Sequence, residues 1–426
     1  MTTQKKFAAT VGLDWADQKH DLWIQPSDGS KSVHMTLQQS AEAIHEWVAK
    51  MRERFGGKPL AICIETSRGP VISALMTYDF LVIYPINPKA LKSYRGAFSI
   101  SGAKDDRTDA MLLEEYVRLH QDKIRALEPD TILTRKLAAM VVIRRDWVDD
   151  RTRFVEQLHT TLKTYYPLAE TLLGDQLTKP MAADFLSRWP DLESLQKCPP
   201  KTIREFFLKH NSRNHKIIDQ RLEAIGKARP LTTDLAILDA GRTRLSGLIS
   251  ILKPLHLQIA LLEKKIQALM DEHPDAEIFR SLPGAGPCLA PRLLVAFGTN
   301  RDRFASAAEV AQFYGVAPVT RQSGTAKSVH LRHRCPKFGR QSFHENAGCA
   351  INKEPSASCF HSNYKKRHDN RHHQSNRALA FKLIRIYYAC WKNRELYDSN
   401  RYMQALEKSS SSIPKLMKEA AAKKCE

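Results

Sequence analysis

The chain has 426 residues, enough for two or three domains that each bury a core, and its 42% hydrophobic and 26% charged residues are those of a soluble globular protein. The charge balance is unusual: 66 Lys and Arg against 46 Asp and Glu leave a formal +20, which points to a polyanionic partner, most simply nucleic acid. No apolar run approaches membrane-spanning length and "MTTQKKFAAT" lacks the apolar core of a secretion signal, so the expectation is a cytosolic protein with no membrane partner.

Residues 7 to about 125 alternate strand and helix signals. "FAATVGLDWA" reads as a buried strand, and "HDLWIQP" and "KSVHMTL" complete a three-strand meander across the turn-rich "PSDGS". A helical period follows through "SAEAIHEWVAKMRERF" with Ser40 as N-cap. Then "PLAICIE" predicts a strand, "GPVISALMTYDF" a helix and "LVIYPIN" a further strand. Antiparallel strands followed by strand–helix alternation suit an α/β domain of the RNase H-like (RuvC-like) kind over 1–125.

From 126 to 275 the pattern is helical, beginning with a long Arg- and Lys-rich period that Pro167 closes. Leu245, Leu248, Leu252, Leu255, Ile259, Leu262, Ile266 and Leu269 form a heptad seam, which fits an intermolecular coiled coil and an internal helix pair equally, with Pro254 expected to kink or break it. A second globular unit, mainly α, is expected over 276–402 and a flexible tail over 403–426. The eight cysteines contain no CxxC pair, and the Cys- and His-containing stretch from Cys349 to His373 reads as a basic loop rather than a zinc site.

Four carboxylates can be brought together on the RNase H arrangement. Asp14 ends the first strand and Glu65 the fourth, which lie side by side and parallel in such a sheet. Asp106 and Asp109 are three apart in "KDDRTDA", at the start of a helix, and so share a face. Like charges gathered in this way repel, and magnesium, which prefers oxygen ligands, removes that cost. Two Mg2+ ions held there suit phosphodiester chemistry. Asp14 as a turn cap, Glu65 as a partner of Arg68, and Asp105 in place of Asp106 remain alternatives.

"PGAGP" reads as a tight helix–helix turn whose Gly284 and Gly286 can admit a phosphate, as in helix-hairpin-helix elements. Residues 321–377 hold 12 Lys and Arg against 3 Asp and Glu, a balance made for phosphate contact; Arg321, Lys327, Arg332, Arg334, Lys337 and Arg340 are its candidate nucleic-acid ligands.

"GLDWA", "IETS" and "KDDRTDA", in this order, resemble the DEDD-type transposases of bacterial insertion sequences and the related Piv-type DNA invertases. "SLPGAGPCLAPRLLVAFG", "RFASAAEVAQFYGVAPVTRQSG" and "KFGRQSFHENA" resemble that family's C-terminal transposase domain. The resemblance implies that Asp14, Glu65, Asp106 and Asp109 are a metal-binding tetrad. It further implies that Ser323, in "RQSG", is a nucleophile that links covalently to DNA, with Arg321 and Lys327 stabilising charge on the phosphate. Tyr314 is the rival nucleophile and is assigned to the core. The resemblance also implies donor and target double-stranded DNA as partners, a structured noncoding guide RNA, a homodimer or homotetramer that shares its sites between protomers, and association with the nucleoid when bound. A RuvC-like endonuclease using water, and a non-catalytic nucleic-acid-binding derivative, are the alternatives.

Overall fold

The computed structural model describes residues 7–98, 105–369, 371–409 and 411–425. They form two compact units, Met1–Pro129 and Asp130–Glu426.

The first unit is a mixed α/β domain. Its strands β1 (Ala9–Asp14), β2 (Lys19–Pro26), β3 (Val33–Gln38), β4 (Leu60–Ile64) and β5 (Leu81–Pro85) lie in the order β3-β2-β1-β4-β5. The first three pair antiparallel, while β4 pairs parallel with β1 and with β5. This mixture and order agree with the RNase H-like expectation.

Helices cover both faces. Leu13, Ile62 and Ile64 pack with α1 (Ala41–Arg54) and α2 (Pro70–Leu75). Ala61, Cys63 and Tyr84 pack on the opposite face with α3 (Pro88–Phe98) and α4 (Asp106–His120). Strand side chains alternate between faces, so one sequence of apolar residues supplies both cores. Ser40 caps α1 as expected, its side chain accepting from the Ala43 amide at 3.2 Å.

The second unit is mostly helical. Its long α5 (Ile132–Tyr165) stops just before Pro167 and is followed by α6 (Pro167–Leu173), α7 (Pro180–Arg188), α8 (Leu192–Gln196), α9 (Pro200–Lys209), α10 (His215–Lys227) and the long α11 (Leu235–Asp271). Then come α12 (Ala276–Ser281), α13 (Leu289–Phe297), α14 (Ala307–Phe313), the hairpin β6 (Val319–Ser323) and β7 (Ala326–His330), α15 (Lys337–Ile351), α16 (Pro355–Arg367), α17 (His372–Asn393), α18 (Ser399–Lys408) and α19 (Ile413–Cys425).

Helices α5 and α11 pack along each other and join two cores. One core gathers Leu158, Phe185, Phe207 and Leu248, and the other gathers Leu137, Ile266, Phe297, Phe343 and Trp391.

The heptad seam of α11, which fitted a coiled coil between chains and an internal helix pair equally, is buried within the chain, with Leu245, Leu252, Ile259, Leu262 and Ile266 enclosed and Leu255 and Leu269 half-buried. Four expectations are corrected here. Pro254 does not break the helix: α11 runs through it as one element. Pro254 and Ser250, whose carbonyl loses its helical donor, are both exposed residues. By length and composition α11 would also suffice to cross a membrane, contrary to the reading of the sequence; its apolar side is instead core. Finally, the stretch read as a basic loop is the helix pair α16–α17, and the stretch read as a loose tail contains α18 and α19, with Leu406 and Ile413 buried.

Candidate active site

The backbone of β1 and α4 sets the site. Gly12 has no side chain because α4 lies directly on it: a Cβ there would overlap the Ala110 carbonyl and the Glu114 amide. Two residues earlier on the same face, the Thr10 hydroxyl donates to the Glu114 carboxylate at 2.5 Å. As β1 advances from Thr10 to Gly12, the facing part of α4 retreats from Glu114 toward Ala110. The helix therefore runs opposite to the strand, and its first turn, with Asp106 and Asp109, lies toward the end of β1 that bears Asp14. Burial of Leu113 and Val117 beneath the helix contributes about 1.5–3 kcal/mol each and holds it there.

Glu65 follows from the parallel register. Leu13 pairs with Ile64, so Asp14 and Glu65 leave neighbouring strands at the same edge. Period-two alternation puts Asp14 with Thr10 and Gly12, and Glu65 with Ala61 and Cys63, on the face that α4 covers. Asp14 and Glu65 thus share one face and one end of the sheet, and the first turn of α4, with Asp106 and Asp109, is directed toward that end.

Their environments differ. Asp109 is buried and ion-paired with Arg95 of α3, whereas Asp106 is exposed. Asp105 is the N-cap of α4: its carboxylate accepts from the Thr108 amide at 3.3 Å and the Thr108 hydroxyl at 3.0 Å. That engagement separates Asp105 from its neighbour, which leads the first turn. Residues 101–104 of the "SGAKDDRTDA" stretch lie outside the described residues.

Two carboxylates on this face escaped sequence reasoning. Asp21 stands opposite Asp14 across β1 and β2 and is held by His34 at 2.8 Å. Glu114 is buried, bonded to Thr10 and Arg118, and burial raises its pKa. The i+4 spacing from Ala110 was the available signal for Glu114, and antiparallel pairing for Asp21.

Three aspartates and a glutamate are the hard oxygen donors that a divalent cation takes, and in donor type they fit magnesium. Among the described residues, no three His, Cys, Asp or Glu side chains are gathered closely enough to hold an ion.

In the second unit, Ser323 closes β6 and is exposed. It pairs with Ala326 across the turn formed by Gly324 and Thr325, and Gly324 adopts φ +56°. Arg321 pairs with Ser328 and Gln322 with Lys327. Arg321, Ser323, Ser328 and His330 therefore share one face of the hairpin, and Lys327 lies on the other. His330, bonded to the Ser328 hydroxyl at 2.8 Å, was not singled out from the sequence; hairpin alternation is what associates it with this face.

Tyr314 is core, as expected, with its hydroxyl donating to the Ala296 carbonyl at 2.6 Å. Gly284, at φ +75°, is explained by packing, since a Cβ would strike the backbone of Ala350 on α15; Gly286 faces open space. Arg334 and Lys337 are exposed, Arg332 and Arg340 half-buried, and Arg340 donates to the Arg332 carbonyl at 3.1 Å.

Comparison with known proteins gives a consistent picture. Residues 11–167 match the DEDD model of the IS110 group, described as a transposase, and residues 276–362 match the model described as "Transposase IS116/IS110/IS902 family". The "Mini-circle putative transposase for IS117" of Streptomyces coelicolor is 28% identical over 92% of this chain and 95% of its own length. An IS110 insertion-element protein of the same organism is 27% identical over 70% of this chain and 73% of its own length. An IS900 insertion-element protein of Mycobacterium paratuberculosis is 22% identical over 91% and 96%. With one model on the sheet that carries the carboxylates and the other on the helices and hairpin that carry Ser323, the chain belongs to the IS110/IS116/IS902 transposase family.

Proposed function

We propose that this transposase moves an insertion sequence by cutting and rejoining DNA through a covalent bond to Ser323. The Ser323 hydroxyl gives up its proton as its oxygen bonds to a backbone phosphorus, the bond from that phosphorus to a sugar oxygen breaks, and the departing oxygen takes up a proton. The serine–phosphate ester keeps the phosphodiester energy for rejoining to a new strand. The observation that supports this reading is an exposed serine at a hairpin tip, beside Arg321 on the same face, in a family chain whose other unit carries Asp14 and Glu65 at the ends of neighbouring parallel strands.

Arg321 faces the phosphate and offsets the charge that builds on its oxygens; Lys327, across the hairpin, attracts the flanking backbone. Asp14, Glu65, Asp106 and Asp109 would hold magnesium, which when bound supplies electrostatic stabilisation of phosphodiester oxygens. The N-terminal end of α4 adds a favourable dipole beneath Asp106 and Asp109. The reading includes a structured RNA guide and a homodimer or homotetramer sharing its sites between protomers, as the sequence resemblance implies. A net charge of +20 accords with binding DNA and RNA together.

The test is to incubate the protein with magnesium, the DNA of its own element and the RNA transcribed from its flank, then denature and look for DNA bonded to protein. An adduct that disappears in Ser323→Ala and in Asp106→Asn supports the reading. Cleavage without adduct, indifferent to Ser323→Ala, replaces it with a hydrolytic RuvC-like endonuclease, and retained DNA binding without any cleavage points to a binding protein.

A further inference from the structure

The C-terminal helices bring together two arginines and two histidines that have no ion-paired carboxylate among the described residues. Arg340 and His344 are one turn apart on α15, and His373 and Arg377 are one turn apart on α17. Residues four apart share a helical face. The two helices pack together, with the Asn376 side-chain amide donating to the His344 carbonyl at 2.9 Å.

Several polar atoms in this group are buried without a hydrogen-bond partner among the described residues: Nε of Arg377, Nε2 of His344 and Oδ1 of Asn376. Arg377, Arg340 and His373 bear on His344, and Arg340 bears on Arg377, where Tyr364 acts in the opposite sense; no carboxylate among the described residues is prominent at either group. Glu345, adjacent to His344 in sequence, is turned to Arg292 at 2.5 Å and Arg145 at 3.4 Å.

Cations partly withdrawn from water are costly unless an anion answers them. We propose that Arg340, His344, His373 and Arg377 form a binding site for a backbone phosphate of nucleic acid, a proposal that rests on the reading of this chain as a nucleic-acid enzyme. The two guanidinium groups present planar forks suited to phosphate oxygens. Burial and the charges of Arg377, Arg340 and His373 push His344 down to about 4, so at neutral pH it adds a neutral N–H donor.

The phosphate can belong to DNA or to RNA. Full-length protein is therefore titrated separately with a short DNA duplex of arbitrary sequence and with a stem-loop RNA, each across a salt series. Arg377→Gln is expected to weaken binding about tenfold and to reduce the slope of log affinity against log salt by ~1 for the nucleic acid that the site engages. Arg377→Lys keeps the charge and should restore the slope. Loss confined to DNA or to RNA assigns the source, and loss with both assigns a site for either backbone. Unchanged affinity and slope with both overturn the proposal, as does weaker binding with an unchanged slope, which marks a structural role. Should Arg377→Gln fail to fold, Arg340→Gln carries the same readouts. Binding requires no strand chemistry, so the absence of a Ser323 adduct would refute the proposed reaction and leave this result standing.

Discussion

Arg95 on α3 and Asp109 on α4 form an ion pair in which the aspartate side chain is 4% exposed and the arginine 20% exposed. A cation thus already stands against the most deeply buried member of the candidate tetrad. Removing Arg95 leaves the buried Asp109 charge short of compensation beside other carboxylates, and such losses are large. Arg95→Met is expected to destabilise the N-terminal unit by about 2–4 kcal/mol. Magnesium should then recover more of that loss than it adds to the wild-type protein, because metal and guanidinium serve the same carboxylate. Thermal unfolding with and without magnesium measures both effects; equal magnesium increments in the two proteins would remove Asp109 from the metal set.

Gly12 offers a sharper test of how the site is positioned. An alanine methyl there meets backbone atoms of α4, which cannot rotate away, so Gly12→Ala is expected to cost about 3 kcal/mol. It should also depress DNA processing by moving the first turn of α4 relative to Asp14. Gly247 is the control: it is helical and has open space around it, so Gly247→Ala should be neutral or stabilise by about 0.5–1 kcal/mol. Denaturant unfolding of the two variants separates the contact at Gly12 from a general effect of replacing glycine.

Sequence alone made the sheet legible because β1, β4 and β5 are apolar runs bounded by turn residues, and because Asp14 and Glu65 stand at their ends. The near contact that brings α4 onto Gly12 was not legible, since a lone glycine in a strand has many explanations. Partition was harder in the helical half. A heptad seam records a need for burial without naming the partner, and here α11 meets that need within the chain, with α5 beside it. The β6–β7 hairpin has almost no buried side chain, so no apolar alternation announces it; "RQSG" reads as a loop until the backbone pairing is seen.

Asp105 and Asp106 are adjacent, yet the fold gives them different work. Asp105→Ala should cost about 1 kcal/mol through loss of the α4 cap, and Asp105→Asn only a few tenths, because asparagine caps as well as aspartate. Neither should abolish the DNA adduct. Asp106→Asn should change stability by less than about 1 kcal/mol, since its side chain is exposed in the first turn, but should abolish the adduct. Unfolding and adduct assays on the three variants decide the assignment, and a lost adduct in Asp105→Asn would transfer the ligand role to that residue.

His344 predicts how acid acts on the second unit. Its pKa falls to about 4 in the folded protein, through burial first and then the charges of Arg377, Arg340 and His373, against an ordinary value near 6.5. Between those two values the unfolded chain binds a proton that the folded chain refuses. Stability is therefore fully present above about 6.5 and is lost as pH falls toward 4. Allowing for its partial exposure to solvent, the contribution is about 1–2 kcal/mol. His256, His273 and His361 are shifted in the same direction, so the acid sensitivity is shared. His344→Gln should flatten the stability profile across this window without erasing it, as followed by denaturant midpoints at successive pH values. A variant profile parallel to that of the wild type would show that His344 protonates freely in the folded state.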